Sequence, residues 1–360
     1  MSGGVDSSVA AGLLQREGLA VTGATIDFRL HPGRTPDAVD SARSVCDRLG
    51  IPHVVIAAAD VFERDILRPA WDEIAAGRTP SPCVRCNPLV KFRLILELAD
   101  RLGATFIATG HYALVEHGSP PLLRRGLHSP KDQTYFLCAL DGHQLNRTLF
   151  PLGRLTKNEV RRLAEEMNLP VAQKKESQDA CFADDSGESA ETLRRRFNAQ
   201  ALPGDVLATD GTLLGRHGGI HRFTVGQRKG LGIALGRRAW VTRIDGQTGA
   251  VTLSTNEQDL FHRALRATGV RWTGGATPAL PLRCQARIRY RSPAADAAVT
   301  ADGDSLIVTF DEPSQAITPG QAVVFYDGDR VLGGAWIDTA LHSGQRSEEH
   351  TSELQSHHPI

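Results

Sequence analysis

The chain has 360 residues, and its Lys+Arg and Asp+Glu totals are both 41, so net charge favours no class of partner. A hydrophobic content of 41% is ordinary for a globular protein with a sizeable core, and no apolar run is long enough to predict a membrane span. Six cysteines in so long a chain argue against a disulfide scaffold and favour reduced thiols in the cytoplasm, and the N-terminus lacks the pattern of a secretory signal.

The first half of the chain alternates short apolar runs with helical patterns. The predicted strands are 21–28, 53–57 and 104–109, and the predicted helices are 8–16, 37–49, 89–102 and one that a capping box opens at 156 and that runs to about 167. Strands that alternate with helices indicate an α/β fold, with a parallel sheet covered on both faces.

After about residue 200, glycines become frequent and short β-rich runs replace the helical periodicity. These runs are 240–244, 250–253, 282–290, 305–310 and 322–326. They predict small β domains, including a barrel. We therefore predict domains over 1–195, 196–262 and 263–345, whereas 346–360 reads like translated adapter DNA and is expected to be a non-native tail.

The N-terminal segment Ser2–Ser8, SGGVDSS, has the composition of a phosphate-binding loop. Two glycines let the backbone approach a phosphate, and serine hydroxyls with free helix amides donate hydrogen bonds to it. It is not a Walker loop, because no Gly-Lys-Ser/Thr follows. Such a loop normally follows a buried strand, so we expect the first strand of the sheet to be absent from this chain.

Three cysteines have polar or basic neighbours in the sequence. Cys83 and Cys86 form a C-x-x-C, which could be half of a zinc site, although no second pair exists. We expect Cys86 to lie just before a helix that begins near Pro88, with Lys91 one turn into it, and both features lower the pKa of a thiol. Cys181 follows two lysines. We interpret the remaining cysteines as packing residues: Cys46, Cys138 and Cys284.

Basic residues predict two nucleic-acid-binding surfaces. Arg287, Arg289 and Arg291 alternate with other residues, which would place them on one face of a strand. The segment 216–243 carries seven basic residues and no acidic one, as a phosphate-binding face requires, although such a cluster taken alone favours an ordinary solvated surface. We interpret the glycines of 226–236 as turns, because their spacing does not fit a dinucleotide fingerprint.

Eight motifs occur in the order seen in tRNA 2-thiouridylases, and together they span nearly all of residues 1–340. They are SGGVDSS (2–8), TPxPCxxCNxxxKF (79–92), ATGHYA (108–113), KDQxYFL (131–137), KxSxxxCF (175–182), FTVGQRKGLGI (223–233), RYR (289–291) and TPGQ (318–321). The chain thus resembles the tRNA 2-thiouridylase family of N-type ATP pyrophosphatases. The resemblance implies a Rossmann-like (adenine nucleotide alpha hydrolase-like) catalytic domain, a central tRNA-binding β domain and a C-terminal β-barrel.

The resemblance also implies a reaction. ATP, with Mg²⁺, would adenylate the C2 oxygen of the wobble uridine in the anticodon stem-loop of tRNA. Cys181 would carry a persulfide received from a sulfur-relay protein or a cysteine desulfurase, and Cys86 would assist release and form a disulfide with Cys181. Alternatively, Cys83, Cys86 and Cys181 could hold an iron–sulfur cluster. Neither a membrane nor DNA is an expected partner.

The residues that the resemblance implies fall into two sets. Those expected to bind ATP are Ser2, Gly3, Gly4, Val5, Asp6, Ser7, Ile26 and Gly110. Those expected to contact tRNA, with His111 near the flipped base, are Ser81, Pro82, Cys83, His111, Lys131, Asp132, Gln133, Arg289, Tyr290 and Gln321. Two of these depart from the family pattern, since Ser81 replaces a usual asparagine and Cys83 a frequent aspartate.

Two other functions compete with this interpretation. An amide-forming ligase or synthetase would need the phosphate loop but neither Cys86 nor Cys181. A chain without the first strand could also be an inactive fragment that still binds tRNA.

Overall fold

The computed structural model describes residues 1–29, 37–174, 181–182, 189–275 and 277–341. Most helices lie in the N-terminal half: α1 Val5–Arg16, α2 Asp37–Leu49, α3 Ala59–Phe62, α4 Arg68–Ala75, α5 Pro82–Cys86, α6 Arg93–Leu102, α7 Gly142–Asn146, α8 Lys157–Glu166 and α9 Ser189–Arg196. The strands of this half are β1 Gly23–Asp27, β2 His53–Ala57, β3 Ile107–Ala108, β4 Ala113–Glu116, β5 Leu122–Arg125 and β6 Thr148–Leu149. None of these described helices is long and apolar enough to cross a bilayer.

The parallel pairing predicted for this half is confirmed, but the described strands form two separate pairs rather than one sheet. Strand β1 pairs with β2, and β3 pairs with β6. The prediction of a strand over 104–109 was too long, because Gly103 ends α6 in the left-handed region and the Ala104 amide still bonds to Ala99. The chain is therefore still leaving the helix at 104.

Two predicted helices show which sequence signals are reliable. Helix α2 has the predicted bounds, and the capping box of α8 is formed in both directions by Thr156 and Glu159. The helix predicted over 89–102 instead begins at Pro82 and contains a π-helical turn, Asn87–Phe92, between α5 and α6. This difference changes the environment of Cys86.

The central part is a small four-stranded sheet. Its strands are β7 Gly204–Ala208, β8 Leu213–His217, β9 Trp240–Ile244 and β10 Val251–Ser254, in the order β8-β7-β10-β9. The glycine-rich segment between β8 and β9 contains neither a strand nor an α-helix, and four of its glycines have φ between +64° and +86°. The prediction of turns there is confirmed.

The C-terminal part is a closed six-stranded barrel. Its strands are β11 Phe261–Trp272, β12 Leu282–Arg287, β13 Ala295–Asp302, β14 Ser305–Gln315, β15 Ala322–Asp327 and β16 Arg330–Leu341, and the pairing of β11 with β16 closes it. The hairpin β4–β5 extends the barrel sheet, since β5 pairs with β16. The predicted fold class, an α/β domain followed by a β-rich domain and a barrel, is confirmed. The boundaries at 195 and 262 stay predictions, and residues 346–360 lie outside the described residues.

Candidate active site

The SGGVDSS segment forms a tight loop at the N-terminus of α1. The helix begins at Val5, earlier than predicted, and Gly4 is its N-cap without a side-chain bond. The Ser7 hydroxyl accepts a hydrogen bond from the Ser2 amide at 3.0 Å and lies 3.0 Å from the Ser2 hydroxyl. Gly3 has φ +67°, and a Cβ there would lie 2.5 Å from the carbonyl oxygen of Ala38. The loop therefore needs its glycine and exposes backbone amides at a helix end, as an anion site requires.

Three residues from elsewhere in the chain pack against this loop. The Asp6 carboxylate accepts hydrogen bonds from Lys157 Nζ at 2.6 Å and from the Tyr112 hydroxyl at 3.0 Å, both at Oδ1. A Cβ at Gly110 would lie 2.6 Å from the amide nitrogen of Ser7. Gly110 therefore lies directly on the first turn of α1, and the structure brings this predicted ATP residue to the loop.

Two further residues complete the surroundings of the loop. The ammonium of Lys174 donates to the Gly3 carbonyl at 3.1 Å and to the Ser41 hydroxyl at 3.0 Å. Ile26 lies on β1 opposite Ile56 of β2, half-buried. The sequence analysis gave Lys157, Tyr112 and Lys174 no role, although Tyr112 lies in the ATGHYA motif and Lys157 in the capping box.

The segment that carries Cys83 and Cys86 is held by the barrel. The Thr79 amide donates to the Pro319 carbonyl at 2.8 Å. The Gln321 side-chain amide donates to the carbonyls of Thr79 and Pro80 at 2.9 and 3.0 Å. The predicted tRNA residue Gln321 therefore lies at this segment and positions it.

Cys86 is not in the environment that the sequence predicted. It is the last residue of α5 and continues directly into the π-helical turn, so no free helix N-terminus lies beside it. Cys86 is only 4% exposed, and this burial raises the pKa of its thiol to about 12. The Lys91 ammonium acts in the opposite direction and lowers that pKa. The prediction of a lowered pKa was wrong, because desolvation of a thiolate outweighs one neighbouring cation.

The thiols of Cys83, Cys86 and Cys181 all interact electrostatically with the Lys91 ammonium. Cys86 also belongs to the same apolar cluster as Phe182, the residue after Cys181. Cys181 is exposed as a residue, yet partial desolvation raises the pKa of its thiol, again opposed by Lys91. The two predicted catalytic cysteines therefore lie in the same region of the structure, and the charge of Lys91 acts on both.

Metal binding by these thiols finds no geometric support. Among the residues that the structure describes, no group of three His, Cys, Asp or Glu side chains is arranged to hold a metal ion, Cys83, Cys86 and Cys181 included. The cysteines interpreted as packing residues, Cys46, Cys138 and Cys284, are buried as expected.

His111 lies next to the thiol region. Burial lowers the pKa of its imidazole to about 3, and the nearby Lys91 ammonium acts in the same direction. Its Nδ1 lies 2.9 Å from the Thr109 hydroxyl, and its ring packs edge-on to Phe150 with centroids 6.4 Å apart. At neutral pH His111 is therefore an uncharged hydrogen-bonding group.

The predicted tRNA residues of the 131–133 segment are largely engaged within the protein. Asp132 is 3% exposed and accepts the Thr134 hydroxyl at 2.8 Å. Gln133 bonds twice to the backbone of Tyr112: its side-chain Oε1 accepts from the Tyr112 amide at 3.0 Å, and its backbone amide donates to the Tyr112 carbonyl at 3.1 Å. Lys131, which ends a short 3₁₀ turn, is half-buried. Ser81 is buried, and Pro82 and Cys83 open helix α5 half-buried.

The arginine pattern 287–291 does not form one strand face. Strand β12 ends at Arg287, and the chain then turns, with the Ser292 hydroxyl donating to the Arg289 carbonyl at 2.9 Å. Arg287 lies 3.6 Å from Asp132, and Arg289 donates to the Gln315 carbonyl at 2.9 Å. The strand-face prediction was wrong, because a side-chain turn ends the strand within the pattern. Only Arg291 of the three is exposed, and the Tyr290 ring packs against Phe136 at an interplanar angle of 40°, with centroids 4.5 Å apart.

Comparisons with known proteins cover almost the whole chain. Three family models match in succession: a tRNA methyl transferase HUP domain over 1–185, a tRNA methyl transferase PRC-barrel domain over 190–255 and an aminomethyltransferase beta-barrel domain over 262–337. The tRNA-specific 2-thiouridylase MnmA of Solibacter usitatus is 44% identical over 363 residues, which cover 94% of this chain and 98% of that protein. The protein of the same name from Syntrophotalea carbinolica is 46% identical over 343 residues, covering 94% and 97%.

A solved structure is also similar in part. The U34-tRNA thiolase NcsA from Methanococcus maripaludis, with its [4Fe-4S] cluster, is 19% identical and covers 55% of this chain and 64% of that one. Its TM-score is 0.35, which is too low to bear on the site of this chain.

Proposed function

Since the chain belongs to the tRNA-specific 2-thiouridylase family, we propose that Cys86 and Cys181 are its catalytic residues and that the loop Ser2–Ser7 binds ATP. The chain is an ATP-using tRNA-uridine 2-sulfurtransferase, and tRNA is its substrate. The observations that carry the residue assignment are that both thiols interact with the half-buried Lys91 ammonium and that Cys86 packs in one apolar cluster with Phe182, the neighbour of Cys181.

The first step is activation of the uracil by ATP. The C2 oxygen of the wobble uridine attacks the α-phosphorus, pyrophosphate leaves, and C2 then carries AMP as its leaving group. The amides at the start of α1 are suited to the phosphates, because they lie at the positive end of a helix whose N-cap, Gly4, provides no side-chain capping bond. We expect Mg²⁺ to arrive with ATP as part of the substrate.

The second step is sulfur transfer. The terminal sulfur of a Cys181 persulfide attacks C2, and AMP leaves with the oxygen. Where free sulfide attacks C2 instead, the Cys86 thiolate first attacks the Cys181 sulfur, and sulfide leaves as a Cys86–Cys181 disulfide forms. When the sulfur is still attached to Cys181, the Cys86 thiolate attacks the Cys181 sulfur, which releases 2-thiouridine and forms a Cys86–Cys181 disulfide. An external dithiol reduces that disulfide and supplies the two electrons. Because Cys181 is exposed, a sulfur-relay protein or a cysteine desulfurase could reach it to load the persulfide.

The raised pKa of Cys86 affects its reactivity as a nucleophile. At neutral pH the resting Cys86 is a thiol, so it is a weak nucleophile until its proton leaves. Lys91 is the cation that favours the thiolate. Loss of that proton must therefore precede any attack by Cys86 on the Cys181 sulfur.

The tRNA contacts lie on the face that joins the catalytic segment to the barrel. We propose that Lys131, Tyr290 and Arg291 flank the anticodon loop and that neutral His111 is near the flipped base. Asp132, Gln133, Arg289 and Gln321 contribute mainly by holding these elements, as their bonds within the protein indicate. The use of ATP and tRNA, and free thiols at the site, support a cytoplasmic location.

The test is formation of 2-thiouridine from unmodified tRNA, ATP and a sulfide source, followed by nucleoside mass analysis. We expect product with the wild-type chain and none above background with Cys86→Ser or Cys181→Ser when a persulfide donor supplies the sulfur. Cys284→Ser, on the barrel, is the matched control and should retain activity. Unchanged turnover in both catalytic variants would contradict the assignment and favour another ATP pyrophosphatase reaction.

A further inference from the structure

The phosphate loop contains a negative charge where its ligand is also negative. Asp6 lies in the first turn of α1, the end that would receive the triphosphate. A carboxylate there stabilises the helix by the same dipole that attracts a phosphate, so the two anions compete for one helix end. Tight binding of ATP therefore requires a positive charge that offsets the Asp6 carboxylate.

Lys157 is placed to provide that offset. Its ammonium lies 2.6 Å from Asp6 Oδ1, and its side chain is 10% exposed against 33% for Asp6. Lys157 is also the first residue of α8, where a cation is unfavourable for its own helix. The position is therefore explained by the contact with α1 and not by the stability of α8, which Thr156 and Glu159 cap.

Tyr112 supplies the second contact. Its ring is buried, and its hydroxyl donates to the same Oδ1 atom at 3.0 Å. Its backbone is fixed in turn by the two bonds to Gln133. The Asp6 carboxylate is thus fixed from two directions by groups that are themselves held in place.

We propose that Lys157 and Tyr112 are positioning residues for ATP, which neutralise and orient the Asp6 carboxylate so that the start of α1 accepts the triphosphate. The proposal rests on the proposed function only in taking ATP as the ligand. It predicts that the two residues affect ATP binding and leave the affinity for tRNA unchanged.

The direct test is equilibrium binding of Mg-ATP to the full chain by calorimetry. Lys157→Met should weaken binding about tenfold to a hundredfold, because an unpaired carboxylate then faces the phosphates. Lys157→Arg should stay within about threefold of wild type, and Tyr112→Phe, which loses only the hydroxyl, should weaken binding several-fold. Arg162→Met removes a cation from the exposed face of the same helix and should change nothing.

A double-mutant cycle separates charge compensation from a direct contact with phosphate. Adding Asp6→Asn to Lys157→Met should recover at least tenfold in ATP affinity, since the charge that Lys157 offsets is gone. A double variant that binds no more tightly than Lys157→Met overturns the proposal, as does an unchanged Kd in Lys157→Met itself. A rise in KM for tRNA equal to that for ATP would also overturn it, because a general loss of structure would then explain both.

The two proposals fail in different ways. A wild-type chain that binds ATP but makes no 2-thiouridine contradicts the proposed function and leaves the binding cycle valid. A thermal unfolding transition shows whether each variant is folded. If Lys157→Met does not fold, Tyr112→Phe still tests the proposal.

Discussion

Replacing Lys91 by methionine should make Cys86 at least tenfold less reactive toward a small alkylating reagent. Burial raises the pKa of this thiol to about 12, and Lys91 is the largest of the influences that lower it. At pH 8 a thiol with that pKa is ionised in only about one molecule in ten thousand, and alkylation proceeds through that fraction. Loss of the cation lowers the thiolate fraction further.

The size of the effect follows from the charge that is removed. A unit charge several ångströms away contributes about 2 kcal/mol at an effective dielectric constant of about 20, which is more than one pKa unit. Lys91→Arg retains the charge and should keep the reactivity within about threefold. Arg85→Met is the matched control, because Arg85 is adjacent to Cys86 in sequence but pairs with Glu73 at 2.9 Å.

The assay is alkylation by iodoacetamide between pH 7 and 10.5, with mass analysis of the peptide that contains Cys86. Access to a residue that is 4% exposed slows the reaction equally at every pH, so the comparison uses the whole profile of rate against pH. The expected result is a parallel downward displacement of the Lys91→Met profile. Coincident profiles for Lys91→Met and wild type would refute the electrostatic argument, and so would an equal displacement in Arg85→Met.

Three further predictions address the ATP loop, the catalytic segment and the core. Gly110→Ala should abolish measurable ATP binding, because its Cβ would lie 2.6 Å from the Ser7 amide nitrogen. The control is Gly218→Ala, whose Cβ would meet no atom within 4 Å and which should bind ATP normally. Similar ATP affinities in the two variants would argue against the close approach of Gly110 to the loop. Gln321→Ala should lower kcat at saturating tRNA about tenfold, since its amide holds two carbonyls of the catalytic segment, and an increase in KM for tRNA alone would instead indicate a simple tRNA contact. Burial raises the pKa of Cys138 from 9.0 to about 12, so the folded state keeps a proton that the unfolded state releases above pH 9. The free energy of unfolding measured in urea should therefore fall by up to ~1.4 kcal/mol per pH unit between pH 9 and 12 because of this thiol. Cys138→Ala should make that decrease with pH less steep.

The parts of the fold that sequence predicted were those set by local patterns. Helix α2 has the predicted ends because its apolar period is regular, and α8 begins where its capping box lies. The π-helical turn at Asn87–Phe92 has no such signature. Ser81–Pro82 does carry a helix-start signal, with proline at the first helical position, and this signal could have placed Cys86 inside the helix.

The parts of the site that sequence did not predict depend on distant contacts. The pairing of Arg287 with Asp132 joins segments 155 residues apart, and Lys157 meets Asp6 across 151 residues. No local period encodes either contact. The motifs identified the chemical groups, whereas their charge states and partners required the three-dimensional structure: the sequence favoured an activated Cys86, and burial produced the opposite.

The barrel holds in place the segment that carries Cys83 and Cys86. The Thr79 amide donates to Pro319, and Gln321 donates to the carbonyls of Thr79 and Pro80, so backbone groups of the catalytic segment bond to the barrel. Without the barrel those groups would lack these partners, which costs free energy wherever water does not replace them. Gly320, between Pro319 and Gln321, has φ +91° and lies so close that a Cβ would be 2.8 Å from the Thr79 carbonyl oxygen. The TPGQ motif, which the sequence analysis interpreted as a tRNA contact, is therefore also a structural requirement of the segment that carries Cys86.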